Sequence, residues 1–205
     1  LAPSGERQGV DTGEQRRPTR DAIRSIWTAP SPMAVVNERV IRRSNALLEY
    51  PWGREFRCTE VIPTGPGIGG AAAAGGITVG LGIGRAAMSS GFLRRGIQRF
   101  VFPDPGTGPS QSEIEAGRFL VTIVGRGTAT DGPFTVRSRI GTSRDPGYGA
   151  TSQMLGESAM CLLRGTTESP LDGGILTPAS GIGDPLADRL RDVGFTVTIG
   201  DWKEG

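Results

Sequence analysis

From Val61 to Gly84 the chain carries 24 residues and no charge. Nine of them are Gly, four Ala, two Pro, and only seven are Val, Ile or Leu. Length alone allows a bilayer crossing, which takes about 20 apolar residues. Composition restrains that reading. Each Gly inside a helix costs about 1 kcal/mol relative to Ala in water, so the segment holds its shape only against a packing surface or lipid. Gly76, Gly80 and Gly84 stand four apart, the spacing of close helix–helix contacts. Arg85, Arg94, Arg95 and Arg99 follow, with Phe92, Leu93, Ile97, Phe100, Val101 and Phe102 among them, and no acid occurs from Val61 to Pro103. Apolar and cationic residues without acids compose a segment that lies on an anionic membrane. Three placements are open: membrane contact through Arg85, Arg94, Arg95 and Arg99; a Gly/Ala-rich helix packed on its own domain with Arg at the rim; and a true span.

Around this run the pattern predicts an α+β fold with a mixed, partly antiparallel sheet flanked by helices. Residues 1–24 are polar, rich in Gly and Pro and without apolar period, and read as a mobile tail or linker remnant. Residues 25–205 read as one domain. Met33 to Tyr50 reads as a helix with Met33, Val36, Val40 and Leu47 on one face. Arg54 to Ile62 reads as a strand. Gly117 to Gly125, apolar on both faces, reads as an inner strand, with Asp131-Gly132 turning into a return strand over Phe134 to Ile140. Ser110 with Glu113 is a capping-box pattern. Pro185 to Val193 reads as the last helix, with Leu186, Leu190 and Val193 inward and Gly194 its stop, and Phe195 to Ile199 as the last strand.

Composition removes several function classes. The net charge of +2 argues against a general nucleic-acid partner. Arginine outnumbers lysine 22 to 1, a codon-usage signature more simply than a binding surface. There is no histidine, which excludes His-dependent triads and makes a zinc centre improbable, so no metal site is expected. Cys58 and Cys161 form no motif, and a reducing, cytoplasmic setting is expected. Gly67-Ile-Gly69-Gly-Ala-Ala72 fits G-x-G-x-x-A. Pro63 and Pro66 interrupt the approach and no acid follows at about 20 residues, so a dinucleotide site is not expected there.

The stretch Asp145-Pro-Gly-Tyr-Gly-Ala-Thr151 reads as a tight turn feeding a helix over Thr151 to Leu163, with Met154, Leu155, Ala159 and Leu162 at helical spacing. Pro146 suits the second position of a type II turn, and Gly147 would supply the positive φ that follows. The helix start would face Tyr148 with unpaired N–H groups able to hold an anion or a carbonyl oxygen. Asp145 would fix the loop by accepting backbone N–H bonds. Thr177 and Ser180, around Pro178, would line a pocket or simply serve the local turn. An ordinary turn and cap accounts for the same spacings.

Those residues carry a resemblance as well. Asp145 to Thr151, Met154, Gly156-Glu-Ser-Ala-Met-Cys-Leu162 and Gly174-Ile-Leu-Thr-Pro-Ala-Ser180 resemble the C-terminal part of saccharopine dehydrogenase-like oxidoreductases. Upstream, Trp27-Thr-Ala-Pro30, Met33, Asn37, Arg39, Val40, Arg42-Arg-Ser-Asn-Ala-Leu-Leu48 and the region Phe56 to Glu60 fit the same family, in order, over roughly residues 25 to 200. The nearest branch by overall similarity is that of the trans-acting enoyl reductases of actinobacterial lipid biosynthesis. Family members begin with a Rossmann domain, which this chain does not show at its start. It opens on Leu1, as a fragment, a processed chain or a truncated frame would.

The resemblance implies the C-terminal substrate and assembly domain of an enzyme that uses NADP(H) to reduce an acyl double bond of a lipid or polyketide intermediate. The cofactor is expected upstream, and this chain alone is expected to bind none. Tyr148 would be the catalytic candidate beside the nicotinamide; Asp145, Gly147, Thr151, Thr177 and Ser180 would bind substrate or form the joint to the nucleotide domain. Implied partners are a lipid or acyl substrate, a membrane or lipid-droplet surface at the cytoplasmic face, a second copy of the chain, or an upstream nucleotide-binding domain. Two rivals are a non-catalytic lipid-surface scaffold and, less suited to so uncharged a segment, an amino-acid dehydrogenase acting on saccharopine.

Overall fold

A computed structural model describes residues 13–100 and 106–201, with side chains followed to residue 96 and from 106 to 200. The α+β class holds. The strands do not form one mixed sheet, however. They form two three-stranded sheets, antiparallel throughout. The chain divides into two compact units, 1–107 and 108–205.

The first unit runs β1 (Thr19–Asp21), β2 (Ile26–Pro30), α1 (Ala34–Leu47), β3 (Val61–Gly65), α2 (Gly67–Ser89) and α3 (Gly91–Phe100), with sheet order β1-β2-β3. Thr19–Asp21 of the polar leading segment thus form β1, while residues 1–12 lie outside the described residues. Asp21 turns β1 into β2: its Oδ1 accepts from the backbone N–H of Ile23 (2.8 Å) and Arg24 (3.3 Å). The Thr28 hydroxyl donates back to the Thr19 carbonyl at 2.9 Å.

Two expectations fail here for one reason. Arg54 to Thr59 is not a strand; pairing begins only at Val61. Nor does α1 turn its apolar stripe inward. Met33, Val36 and Val40 are 52, 55 and 40% exposed, while Glu38, Ser44 and Asn45 are buried. The loop after α1 folds back over the polar side of the helix and is held by it. Asn45 Oδ1 accepts from Trp52 N–H (3.1 Å), and its amide donates to the Gly53 carbonyl (2.9 Å). Glu38 Oε1 accepts the Glu60 N–H at 2.8 Å. These backbone groups, which a strand would offer to a ladder, are satisfied by α1 side chains instead. Trp52 and Phe56 pack together at 5.2 Å, and the Arg54 guanidinium lies 4.1 Å from the Tyr50 ring centroid.

The second unit runs α4 (Gln111–Ala116), β4 (Phe119–Ala129), β5 (Gly132–Thr142), α5 (Gly149–Arg164), α6 (Pro178–Gly181), α7 (Asp184–Asp192) and β6 (Thr196–Asp201). The Ser110–Glu113 capping box forms reciprocally, and the hairpin pairs in unbroken register from Phe119↔Thr142 to Ala129↔Gly132. Sheet order is β4-β5-β6, so β4 is an edge and not an inner strand. Both of its faces are partly open: Leu120, Val121 and Ile123 are 61, 46 and 48% exposed. On the face opposite Leu120, Phe119 and Val197 meet Ala150 and Met154 of α5 and Leu186 and Leu190 of α7, around Phe195. Phe195 sits edge-on to Phe119 at 6.4 Å and 69°. Burying a phenylalanine this fully is worth about 2–3 kcal/mol.

On α5, Met154 faces this core and Cys161 is fully buried, but Leu155 and Leu162 point outward. Val193, expected inward, is exposed, because Gly194 at φ +93° ends α7 just after it and swings Phe195 in instead.

Candidate functional site

The turn before α5 is the best-defined candidate. Asp145 Oδ2 accepts the Tyr148 N–H at 2.5 Å and the Gly149 N–H at 3.3 Å. The Asp145 carbonyl accepts from Ala150 N–H at 2.7 Å. Thr151 returns its hydroxyl to the Pro146 carbonyl at 2.6 Å. The Asp145 N–H is anchored on the Ile114 carbonyl of α4 at 3.1 Å. Asp145 therefore does fix the loop, and two expectations change as a result. Gly147 is not among the positive-φ residues; the Asp145 carboxylate closes the turn, so no left-handed residue is needed. The start of α5 is also not open to an outside anion, because this carboxylate already sits on its first N–H groups.

Those N–H groups, the Tyr148 N–H above all, hold the Asp145 carboxyl below its ordinary value of 3.8. A depressed carboxyl contributes stability that is present above its unfolded value and lost as pH falls through the folded one. Asp145→Ala should lower the melting midpoint by a few degrees at neutral pH. The gap between parent and variant should close as pH drops below about 3.8, read by thermal denaturation across pH. A gap unchanged at low pH would contradict the cap.

What the turn presents is Tyr148. It is 59% exposed, its ring lies beside Gly108, and its hydroxyl bonds to nothing among the described residues. The sequence-predicted residues Asp145, Gly147, Tyr148 and Thr151 thus come together. Thr177 and Ser180 do something else. They cap α6 reciprocally, Thr177 N–H donating to Ser180 Oγ (3.0 Å) and Ser180 N–H to Thr177 Oγ1 (3.3 Å), both residues buried. Their hydroxyls serve that cap.

A polar cluster in the first unit was not predicted. Ser31 Oγ donates to Glu60 Oε1 at 2.6 Å and Asn37 Nδ2 to Glu60 Oε2 at 2.7 Å. Glu38, fully buried, holds the Glu60 N–H and meets Arg42 at 3.5 Å. Burial first, then the Glu38 carboxylate, push the Cys58 thiol up, against the pull of Arg42. That upward shift lowers the thiolate fraction on which cysteine reactivity depends. With both Glu60 oxygens and both Glu38 oxygens already engaged, the cluster is a clamp between α1 and the approach to β3. Its one sequence signal is the Glu38–Arg42 spacing of four on a helix.

The G-x-G-x-x-A stretch is also better built than its prolines suggested. β3 runs through Pro63, which an edge strand tolerates, and Gly65 (φ +102°), Pro66 and Gly67 (φ +65°) turn it into α2. A Cβ on Gly70 would lie 2.1 Å from the Gly65 carbonyl oxygen, so helix and strand touch there. A dinucleotide fold needs a parallel strand–helix–strand unit and an acid near the ribose. β3 pairs antiparallel with β2, and no acid follows before Asp104. These residues do not fit the cofactor. Among the described residues no group of three His, Cys, Asp or Glu side chains could hold a metal ion.

Of the arginines expected from sequence to contact a membrane, Arg85, Arg94 and Arg95 are exposed; the Arg99 side chain lies outside the described residues, as do Val101 and Phe102.

Comparison with known proteins finds no matching family model and no matching solved structure. Curated relatives do match. A Mycobacterium tuberculosis protein provisionally named a trans-acting enoyl reductase is 36% identical over 180 residues, 85% of this chain and 42% of the relative. The trans-acting enoyl reductase of Mycobacterium ulcerans is 33% identical over 180 residues, 86% of this chain and 42% of the relative. That of Mycobacterium bovis BCG is 35% identical over 189 residues, 89% and 44%. Along most of its length, the chain is therefore similar to a stretch that makes up about two fifths of proteins bearing that name.

Proposed function

We propose that this chain is the substrate and assembly portion of a trans-acting enoyl reductase of the saccharopine dehydrogenase-like oxidoreductases, acting in the cytoplasm on an acyl double bond in lipid biosynthesis. One observation carries the reading: the similarity to relatives of that name extends over 85% of the chain at 36% identity. The geometry agrees at one point. Tyr148 stands on a turn held by Asp145, exposed and with its hydroxyl unengaged. Donating a hydrogen bond to the carbonyl of an unsaturated acyl group, that hydroxyl withdraws electrons from the conjugated double bond and prepares it for reduction. The proton stays on the tyrosine in this role.

The turn Gly67 to Ala72 lacks the parallel strand–helix–strand unit of a dinucleotide site, and on this reading the reductant is held by other residues of the intact enzyme. The test is a pair of measurements. Titrated with NADPH, the purified chain should give no fluorescence or heat signal in the low micromolar range. An intact relative should consume NADPH when supplied with an α,β-unsaturated acyl thioester. Tight NADPH binding by the chain would contradict the assignment of the cofactor. An intact relative that binds NADPH yet leaves the thioester untouched would contradict the acyl double bond as substrate.

A further inference from the structure

In the first unit α2 is seated by only one side. Gly70 and Ala74 are buried, Thr64 donates its hydroxyl to the Gly70 carbonyl at 2.9 Å, and Gly70 touches the Gly65 carbonyl. On the other side Ile68, Val79, Ile83 and Met88 are 90, 62, 65 and 42% exposed. Ile68, Ala72, Gly76, Val79 and Ile83 fall three or four apart, on one helix face. Two residues beyond the helix, α3 shows Phe92 at 78% and Leu93 at 50% exposure. Arg85, Arg94 and Arg95 are exposed and meet no acid among the described residues. The uncovered surface is therefore apolar, rimmed by cations that meet no acid among the described residues.

We propose that α2 and α3 dock this unit on an anionic lipid surface as a monotopic element, lying in one leaflet without crossing the bilayer. This goes beyond the enzymatic reading and does not depend on it. The charge pattern selects the occupant. A protein partner with an acidic rim would satisfy the arginines, but an apolar face on a helix followed by an Arg-rich amphipathic one fits the boundary of headgroup and acyl chain.

The anchored start of α2 excludes the span. The 23 residues of α2 reach about 35 Å, enough for a hydrocarbon core of about 30 Å. Its start is bound to the sheet through Ala74, however, and Arg85 follows. The ten residues between, Gly75 to Gly84, cover about 15 Å, half of what a crossing needs. Spanning would pull Gly70 and Ala74 off the sheet or draw Arg85 into the core.

The full chain is floated with vesicles of phosphatidylcholine alone and of equal parts phosphatidylcholine and phosphatidylglycerol. Recovery should be at least tenfold higher on the anionic vesicles. It should fall when salt rises from about 0.1 M to about 1 M, which shortens the screening length from ~10 Å to ~3 Å. Arg94→Glu with Arg95→Glu should lower anionic binding tenfold or more at unchanged helical content. Val79→Asp with Ile83→Asp should abolish retention, and alkaline carbonate should strip the bound parent chain. Equal recovery on both vesicles would overturn the proposal. So would carbonate-resistant insertion, the mark of a span, or dimers in free solution that Val79→Asp with Ile83→Asp dissolves while vesicles recover nothing, the mark of a second copy on this face.

Discussion

Glu38→Ala should cost the first unit about 3–5 kcal/mol, a large share of a small domain's stability. Glu38 is fully buried and Arg42 only 10% exposed. Removing the carboxylate takes from Arg42 its ion-pair partner at 3.5 Å and from the Glu60 N–H its acceptor at 2.8 Å. It also frees the loop that closes over α1, because that loop is attached by side chains and not by a strand ladder. Glu38→Gln keeps an acceptor for Glu60 and should lose much less. Urea denaturation followed by tryptophan fluorescence in a Trp202→Phe background reports on Trp27 and Trp52, both in this unit. An alanine variant within 1 kcal/mol of the parent would show that the clamp does not hold the unit together.

Gly117→Ala should disrupt the second unit, while Gly147→Ala should be nearly silent. A Cβ on Gly117 would fall 2.4 Å from Asp145 Cα and 2.5 Å from its nitrogen. Backbone on backbone leaves no rotamer to relieve the clash. Either α4 or the turn must move, at about 1–3 kcal/mol, and Tyr148 moves with it. At Gly147 the new carbon would rest 3.5 Å from an Asp145 oxygen, an ordinary contact, at a φ that alanine accepts. Melting curves of the two variants check the order. A destabilised Gly147→Ala beside a normal Gly117→Ala would restore the type II turn and remove the Asp145 cap.

Local chemistry was readable from the residues alone. The Asp131-Gly132 hairpin, the Ser110–Glu113 box, the Gly194 stop and the buried Cys161 each depend on neighbours a few positions away. Failures occur where a distant segment decides. Periodicity identified the apolar stripe of α1 correctly, but which side of the helix is covered depends on residues 52 to 60 returning to Asn45 and Glu38. The inner place given to β4 rested on apolar residues on both faces, and those faces turn out to be partly open at Leu120, Val121 and Ile123. In the candidate site Asp145 and Tyr148 were legible because an Asp-Pro-Gly turn before a helix has few solutions. Thr177 and Ser180 were indistinguishable in sequence from pocket residues, since a capping box built on Ser lacks the Glu that usually marks one.

On the proposed reading this chain supplies the Tyr148 turn to an enoyl reductase. That claim is tested most directly in a chimaera carrying the chain in place of the matching 180 residues of the Mycobacterium tuberculosis relative. Turnover of an α,β-unsaturated acyl thioester is measured with NADPH. The chimaera should reduce the thioester, and Tyr148→Phe should lower kcat about tenfold or more while the melting midpoint stays within a degree. A folded chimaera without activity, or a Tyr148→Phe variant at full speed, would contradict it.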